Sequence, residues 1–225
     1  MSDAIRLIKI KENIQADNDA LARDLREELM SHRTFLVNLM SSPGSGKTSL
    51  LLQTTSALKD KLRMAVIEAD IDSTVDAETI GSSGIEAVQL QTGGFCHLDV
   101  PMVRQGLASL DMQALDLIFI ENIGNLVCPA EFDIGAALDV MILSVPEGDD
   151  KPLKYPLRFS KCHVLIVNKI DYLETPLTNF NFDTLTQRVK KINPEALIFP
   201  LSCRTGQGVD AWVDWLSKKV AELSL

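Results

Sequence analysis

Seven short apolar runs separated by stretches of helical periodicity constrain this chain more than any other feature. They are "FLVNLM", "MAVIEAD", "AVQLQ", "LDLIFIEN", "VMILSV", "HVLIVNK" and "ALIFPLS". Several are apolar at consecutive rather than alternate positions, so both faces of each strand must be covered, as in a parallel sheet sandwiched between helices. Stretches such as "SLLLQTTSALKDKL" and "VDAWVDWLSKKVAEL" supply amphipathic helices to cover them. The expected fold is α/β: a doubly wound, mostly parallel sheet with helices on both faces. At 225 residues it is expected to form a single domain, 1–225. Residues 1–33 read as an N-terminal helical extension, in which Ile14, Leu21, Leu25 and Leu29 make one apolar stripe along a helix spanning 12–30. "SHRT" links it to the first strand.

The formal net charge of −9 opposes binding to phosphate backbones and anionic membrane surfaces, so neither nucleic acid nor membrane is an expected partner. No apolar run approaches the roughly 18 residues that span a bilayer, and "MSDAIRLIKIKEN" has no secretory core, which leads to the expectation of a cytoplasmic protein. The four cysteines are scattered and do not form a disulfide framework, which leaves them for packing or metal.

In a doubly wound sheet, ligands gather where strands end. After "FLVNLM" comes "SSPGSGKTSLL", a phosphate loop between strand and helix. Gly44, Ser45 and Gly46 let backbone N–H groups turn inward toward phosphate, Lys47 reaches the β/γ oxygens, Thr48 ligates Mg²⁺, and Ser49 opens the helix whose N-terminus faces the anion. Ser41 stands where the usual pattern has glycine, which predicts a negative φ there.

"HVLIVNKIDYL" ends a later strand with Asn168, Lys169 and Asp171, an N-K-x-D element resembling that of GTPases. The Asp171 carboxylate would accept from guanine N1–H and the exocyclic amine, a donor pair adenine lacks; Lys169 would pack along the base and Asn168 brace the loop. "PLSCRTGQG" places Ser202, Cys203 and Arg204 where a backbone N–H could meet guanine O6, although Cys203 reads equally well as a small buried hydrophobe.

Asp70, Asp72 and Asp76 follow the second strand, near the expected γ-phosphate. Three carboxylates there would repel nucleotide unless magnesium intervenes, with Asp70 first and Asp72 second as ligands. Glu121 and Gly124 form an acid-x-x-Gly element: Glu121 is a further magnesium candidate, and Gly124 can donate its N–H to the γ-phosphate and release it on hydrolysis. The candidate catalytic set is therefore Lys47, Asp72, Glu121 and Gly124. Asn125 stands where many GTPases have glutamine, so no residue clearly positions the attacking water, and slow hydrolysis is expected.

Cys96 and His97 lie in the glycine-rich bend "TGGFCHLDV", and Cys128 lies four residues past Gly124. Two thiolates and an imidazole suit Zn²⁺ or Ni²⁺ and leave a coordination position open, although cysteine also packs as a small hydrophobe and no zinc-finger spacing is present. Cys162 and His163 read as packing residues and His32 as an exposed loop histidine.

Taken together, "SSPGSGKT", "EADI", "GGFCHLD", "ENIGNLVCPAEFD" and "NKIDYL", in this order, resemble the hydrogenase nickel-incorporation GTPases, the HypB family, over almost the whole chain. The resemblance implies a P-loop NTPase that binds GTP/GDP, dimerises around nucleotide, and helps insert nickel during [NiFe]-hydrogenase maturation with a second nickel accessory protein and the hydrogenase large-subunit precursor as partners. It also implies that Cys96, His97 and Cys128 are nickel or zinc ligands at a dimer interface, with hydrolysis coupled to metal release. The N-terminal cysteine-rich or histidine-rich nickel motif of some members is not matched. Rival readings are a urease-accessory GTPase, a chaperone of cobalamin-dependent mutases, a metal-binding scaffold with a structural nucleotide site, and an ATP-dependent small-molecule kinase.

Overall fold

The computed structural model describes residues 10–71, 75–175 and 178–223, with side chains given from residue 15 onward and not at Ala130. In chain order the elements are α1 (Ile10–Ser31), β1 (Phe35–Ser41), α2 (Lys47–Leu58), β2 (Met64–Asp70), α3 (Val75–Ser82), β3 (Glu86–Gln91), α4 (Val100–Leu107), β4 (Leu117–Glu121), β5 (Leu138–Ser144), α5 (Lys151–Lys154), α6 (Pro156–Lys161), β6 (Val164–Asn168), α7 (Phe182–Ile192), β7 (Leu197–Pro200) and α8 (Val209–Leu223). Each of the seven apolar runs forms a strand.

The strands make one sheet in the order β3-β2-β4-β1-β5-β6-β7, every neighbouring pair parallel. The continuous apolar runs are explained by which face each side chain takes. Val37 and Leu39 of β1, Val66 of β2 and Phe119 of β4 pack with Leu50, Leu51 and Trp212 of α2 and α8. Leu36, Ile67 and Ile118 face the other way, onto α1 and α4, and Met141, Leu165 and Val167 continue that second face against Phe159, Leu185 and Val189 of α6 and α7. The wholly buried Trp212 satisfies its indole by donating to Thr54 Oγ1 at 2.9 Å, as a desolvated N–H requires. The chain leaves β1 toward β2 and β3 on one side, returns through β4, and crosses to β5 on the other, so the β1 loop lies at the point where the winding reverses.

The stripe on α1 differs from the sequence expectation. Ala22, Leu25 and Leu29 are buried together with Asn18, whereas Leu21 is exposed. A hydrogen-bonding role draws Asn18 inward: Nδ2 donates to the Asp133 carbonyl at 2.7 Å and Oδ1 accepts from the Val100 N–H at 3.1 Å. Arg26 grips both Asp133 carboxylate oxygens at 2.8 and 2.9 Å. Gly135 completes the junction; at φ +80, a Cβ there would lie 2.9 Å from the Leu25 side chain.

Candidate functional site

Between β1 and α2 the chain turns through Gly44 and Gly46, at φ +75 and +98. Ser41, still extended at the end of β1, keeps a negative φ, as expected. Space is what Gly46 lacks: a Cβ would sit 2.3 Å from the Asn168 side-chain nitrogen. Helix α2 begins at Lys47 with no side-chain cap and no acid in its first turn, so its leading N–H groups face a cavity of about 570 Å³ lined by Gly44, Gly46, Lys47, Thr48, Ser49, Asp70, Ile71, Asp76, Glu121, Gly124 and Lys169, among others. Open N–H groups at a helix start hold anions.

The acids here are buried and mutually repelling. Glu68 and Glu121 stand directly opposite one another on adjacent strands, each about 2 % exposed. Thr48 donates its hydroxyl to Glu121 Oε1 at 2.7 Å, but Oε2 of Glu121 and Oε2 of Glu68 have no hydrogen-bond partner among the described residues. Burial, reinforced by Glu121 and Asp70, pushes the Glu68 carboxyl up to about 8. Burial also raises Glu121, against the pull of the Thr48 hydrogen bond and Lys47. Desolvation lowers Lys47, partly offset by Glu121, Asp76, Glu68 and Glu147; its Nζ donates to Ser41 Oγ at 3.1 Å. Thr48, Asp70 and Glu121 are thus brought to one cavity, and an unpartnered buried carboxylate oxygen beside a hydroxyl is a hard-oxygen set suited to a divalent cation. Asp72 lies outside the described residues.

The N-K-x-D element is fastened to the phosphate loop. Asn168 Nδ2 donates to the Ser45 carbonyl at 2.9 Å, and its Oδ1 accepts the N–H groups of Lys169 at 2.8 Å and Cys203 at 3.1 Å. Lys169 holds a left-handed conformation, φ 62, and donates through Nζ to the Gly44 carbonyl at 2.7 Å. Asp171 Oδ1 accepts from the Ser202 hydroxyl at 2.7 Å, which orients the carboxylate. Cys203 is buried with its thiol pushed up to about 11, in keeping with the small-hydrophobe reading, while Arg204 is exposed.

The two cysteine-bearing loops also meet. The Cys128 thiol of the neighbouring loop, and then burial, raise the Cys96 thiol, and Asn125 of the Cys128 loop donates through Nδ2 to the Cys96 carbonyl at 3.4 Å, which holds the two loops side by side. His97 Nδ1 is 3.9 Å from Cys96 Sγ, but its ring stacks on Phe132 at 4.1 Å between centroids and 15° between planes. Among the described residues no three His, Cys, Asp or Glu side chains converge on one metal point. The thiols are brought together; the imidazole, held by stacking, lies alongside them.

The CobW/HypB/UreG nucleotide-binding domain family matches residues 35–200. Hydrogenase maturation factor HypB from Rhizobium leguminosarum bv. viciae is 42% identical over 220 residues, which cover 98% of this chain and 73% of that protein. The chain belongs to the HypB family. The crystal structure of HypB from Helicobacter pylori in complex with nickel superposes at TM-score 0.85 with 36% identity, covering 92% of this chain and 96% of that one. HypB from Archaeoglobus fulgidus gives 0.83 and 35%, covering 91% and 99%. Hydrogenase maturation and P-loop nucleotide hydrolysis are accordingly the family's activities, and the fold is the one its solved members share.

Three functional neighbours in this HypB-family chain were not singled out from sequence. Glu68 is a charged residue inside a strand buried on both faces, a conflict visible in "MAVIEAD". Glu147, just past β5, accepts from Ser45 Oγ at 2.6 Å and from the Ser144 N–H and hydroxyl at 2.8 Å each, pinning the phosphate loop. Arg158 is 1 % exposed and donates to the Asn125 carbonyl at 2.9 Å. No pattern in the sequence marks a lone arginine on a short helix as buried.

Proposed function

We propose that this HypB-family chain is a magnesium-dependent GTPase that carries nickel for hydrogenase maturation, with GTP turnover coupled to metal binding where two copies meet. The observation that carries this reading is the meeting of the Cys96 and Cys128 thiols across a segment that begins at Gly124. A Cβ on Gly124 would lie 3.1–3.4 Å from Pro43 of the phosphate loop, so nucleotide and thiols share one stretch of chain.

Gly44, Ser45, Gly46, Lys47, Thr48 and Ser49 would cradle the phosphates, and Lys47 would stabilise the charge that develops on the transferred phosphoryl group. Asp171, steadied by Ser202, would select guanine. Thr48, Asp70 and Glu121 would hold magnesium, which would supply charge neutralisation at the nucleotide phosphates. Gly124 would sense the γ-phosphate. Asn125 does not line the nucleotide cavity, so slow intrinsic hydrolysis is expected; Asp72, the other candidate helper, lies outside the described residues. Cys96, Cys128 and, after rotating off Phe132, His97 would bind nickel or zinc as cargo, and thiol protons must leave as metal enters. The nickel bound to the H. pylori relative supports this. A second nickel accessory protein and the hydrogenase precursor would be the partners, in the cytoplasm. No helix among the described residues is long and apolar enough to cross a membrane.

The test is light scattering in GDP and in a non-hydrolysable GTP analogue, with nickel counted per protomer in each peak. A dimer in the analogue, carrying nickel that Cys96→Ala loses, is expected. Equal nickel in wild type and variant, or none in either, refutes the cargo site.

A further inference from the structure

We infer that Asn125 is the positioning residue through which the nucleotide state sets the separation of the Cys96 and Cys128 thiols, with Arg158 as its anchor. The inference rests on the nucleotide and nickel sites proposed above and deepens them by naming the link between the two.

Asn125 directly follows Gly124, the residue packed on Pro43. It stands where many GTPases have glutamine, and its side chain does not line the nucleotide cavity. Nδ2 donates to the Cys96 carbonyl at a long 3.4 Å, and Oδ1 accepts the Val127 N–H at 2.8 Å. One short side chain therefore touches the residue that bears the first thiol and the residue that precedes the second. The Val127 contact alone would be an ordinary loop-stiffening turn; the reach to Cys96, on a separate loop 29 positions earlier, adds a bridge between the two thiol-bearing loops.

The backbone of Asn125 is held independently. Its carbonyl accepts from Arg158 Nη2 at 2.9 Å, and the other Arg158 amino group lies on Met40 Sδ of β1, the strand that delivers the phosphate loop. Burial brings the Arg158 guanidinium down to about 10, so the side chain is a desolvated post. Asn125 is pinned at its carbonyl, pushed at its N-terminal side by whatever moves Gly124, and attached by its amide to both thiol loops. A shift of Gly124 relative to Pro43 then pivots the amide and changes the spacing of the sulfurs. A metal that prefers one spacing must in turn change nucleotide affinity by the same factor.

The test measures nickel affinity of the full chain by competition with a chromogenic chelator, once in GDP and once in a non-hydrolysable GTP analogue, with thiolate-to-nickel charge-transfer absorption as the sign of binding at the sulfurs. For wild type the two affinities are expected to differ by about tenfold or more, the ordinary size of a coupling between sites. In Asn125→Ala the band persists and the ratio falls to about twofold or less. Asn125→Asp, which keeps the acceptor for Val127 and lacks the donor to Cys96, follows it, and decides the matter if the alanine variant fails to fold. A wild-type ratio retained in the folded variants overturns the inference and leaves the proposed function standing. A wild type that binds no nickel, or binds it equally in both states, overturns both.

Discussion

Glu68→Gln should make the nucleotide-free protein more stable at neutral pH, and the structure gives the size. Glu68 is buried opposite Glu121, and its carboxyl titrates near 8 in the folded chain against an ordinary 4.5. A carboxyl whose folded pKa is raised keeps its proton in the native state after the unfolded chain has lost it. Stability is therefore greatest below the unfolded value and falls as pH rises toward the folded one. The slope in that window is about 1.4 kcal/mol per pH unit, so by pH 7, about 2.5 units above the unfolded value, the loss is roughly 3 kcal/mol. Glu121 is raised too, by burial and by Asp76 and Asp70, so its own contribution remains in the variant. The replacement amide can donate to the Glu121 oxygen that has no partner. The assay is urea unfolding followed by tryptophan fluorescence, for which the buried Trp212 is the reporter, at half-unit steps from about pH 5 to 8 in EDTA without nucleotide. Wild type should lose stability steeply over this range and the variant by about one proton's worth less. Parallel curves would show that Glu68 does not hold its proton in the folded state, and the reasoning would fail.

Gly46→Ala combines a left-handed φ with a Cβ 2.3 Å from the Asn168 amide, so it should weaken binding of a fluorescent GDP analogue on the order of a hundredfold or more; binding within threefold of wild type would contradict the packing described. Asp171→Asn exchanges an acceptor for a donor at the guanine edge and should shift preference from GTP toward xanthosine triphosphate in competition binding; an unchanged preference would remove Asp171 from the base site.

The strands were legible because a sheet covered on both faces leaves consecutive apolar residues, a pattern solvent-exposed chain does not tolerate. The phosphate loop and N-K-x-D element were legible because each residue type there answers a local need. Asn18 and Leu21 were misjudged for a physical reason: hydropathy ranks leucine as the inner residue, but two hydrogen bonds to Asp133 and Val100 make burying asparagine worthwhile. The bridge that Asn125 makes to Cys96 was not legible because sequence position shows where an amide starts, not which way it turns. Glu147 and Arg158 escaped notice because their partners, Ser45 and Asn125, lie 102 and 33 positions away, and long-range polar contacts leave no periodicity to read.

Asn168 holds the Ser45 carbonyl with one end of its amide and the Lys169 and Cys203 backbones with the other, while Lys169 reaches back to Gly44. The parts that would meet the base and the phosphates are thus a single casting. Damage at one end should be felt at the other: in a double-mutant cycle, side-chain truncations of Asn168 and Lys169 should cost less together than the sum of their separate losses, because both tie the same turn of the phosphate loop. Guanosine alone, without phosphates, should also find its half of the site built to shape, and bind weakly but with its preference for guanine intact.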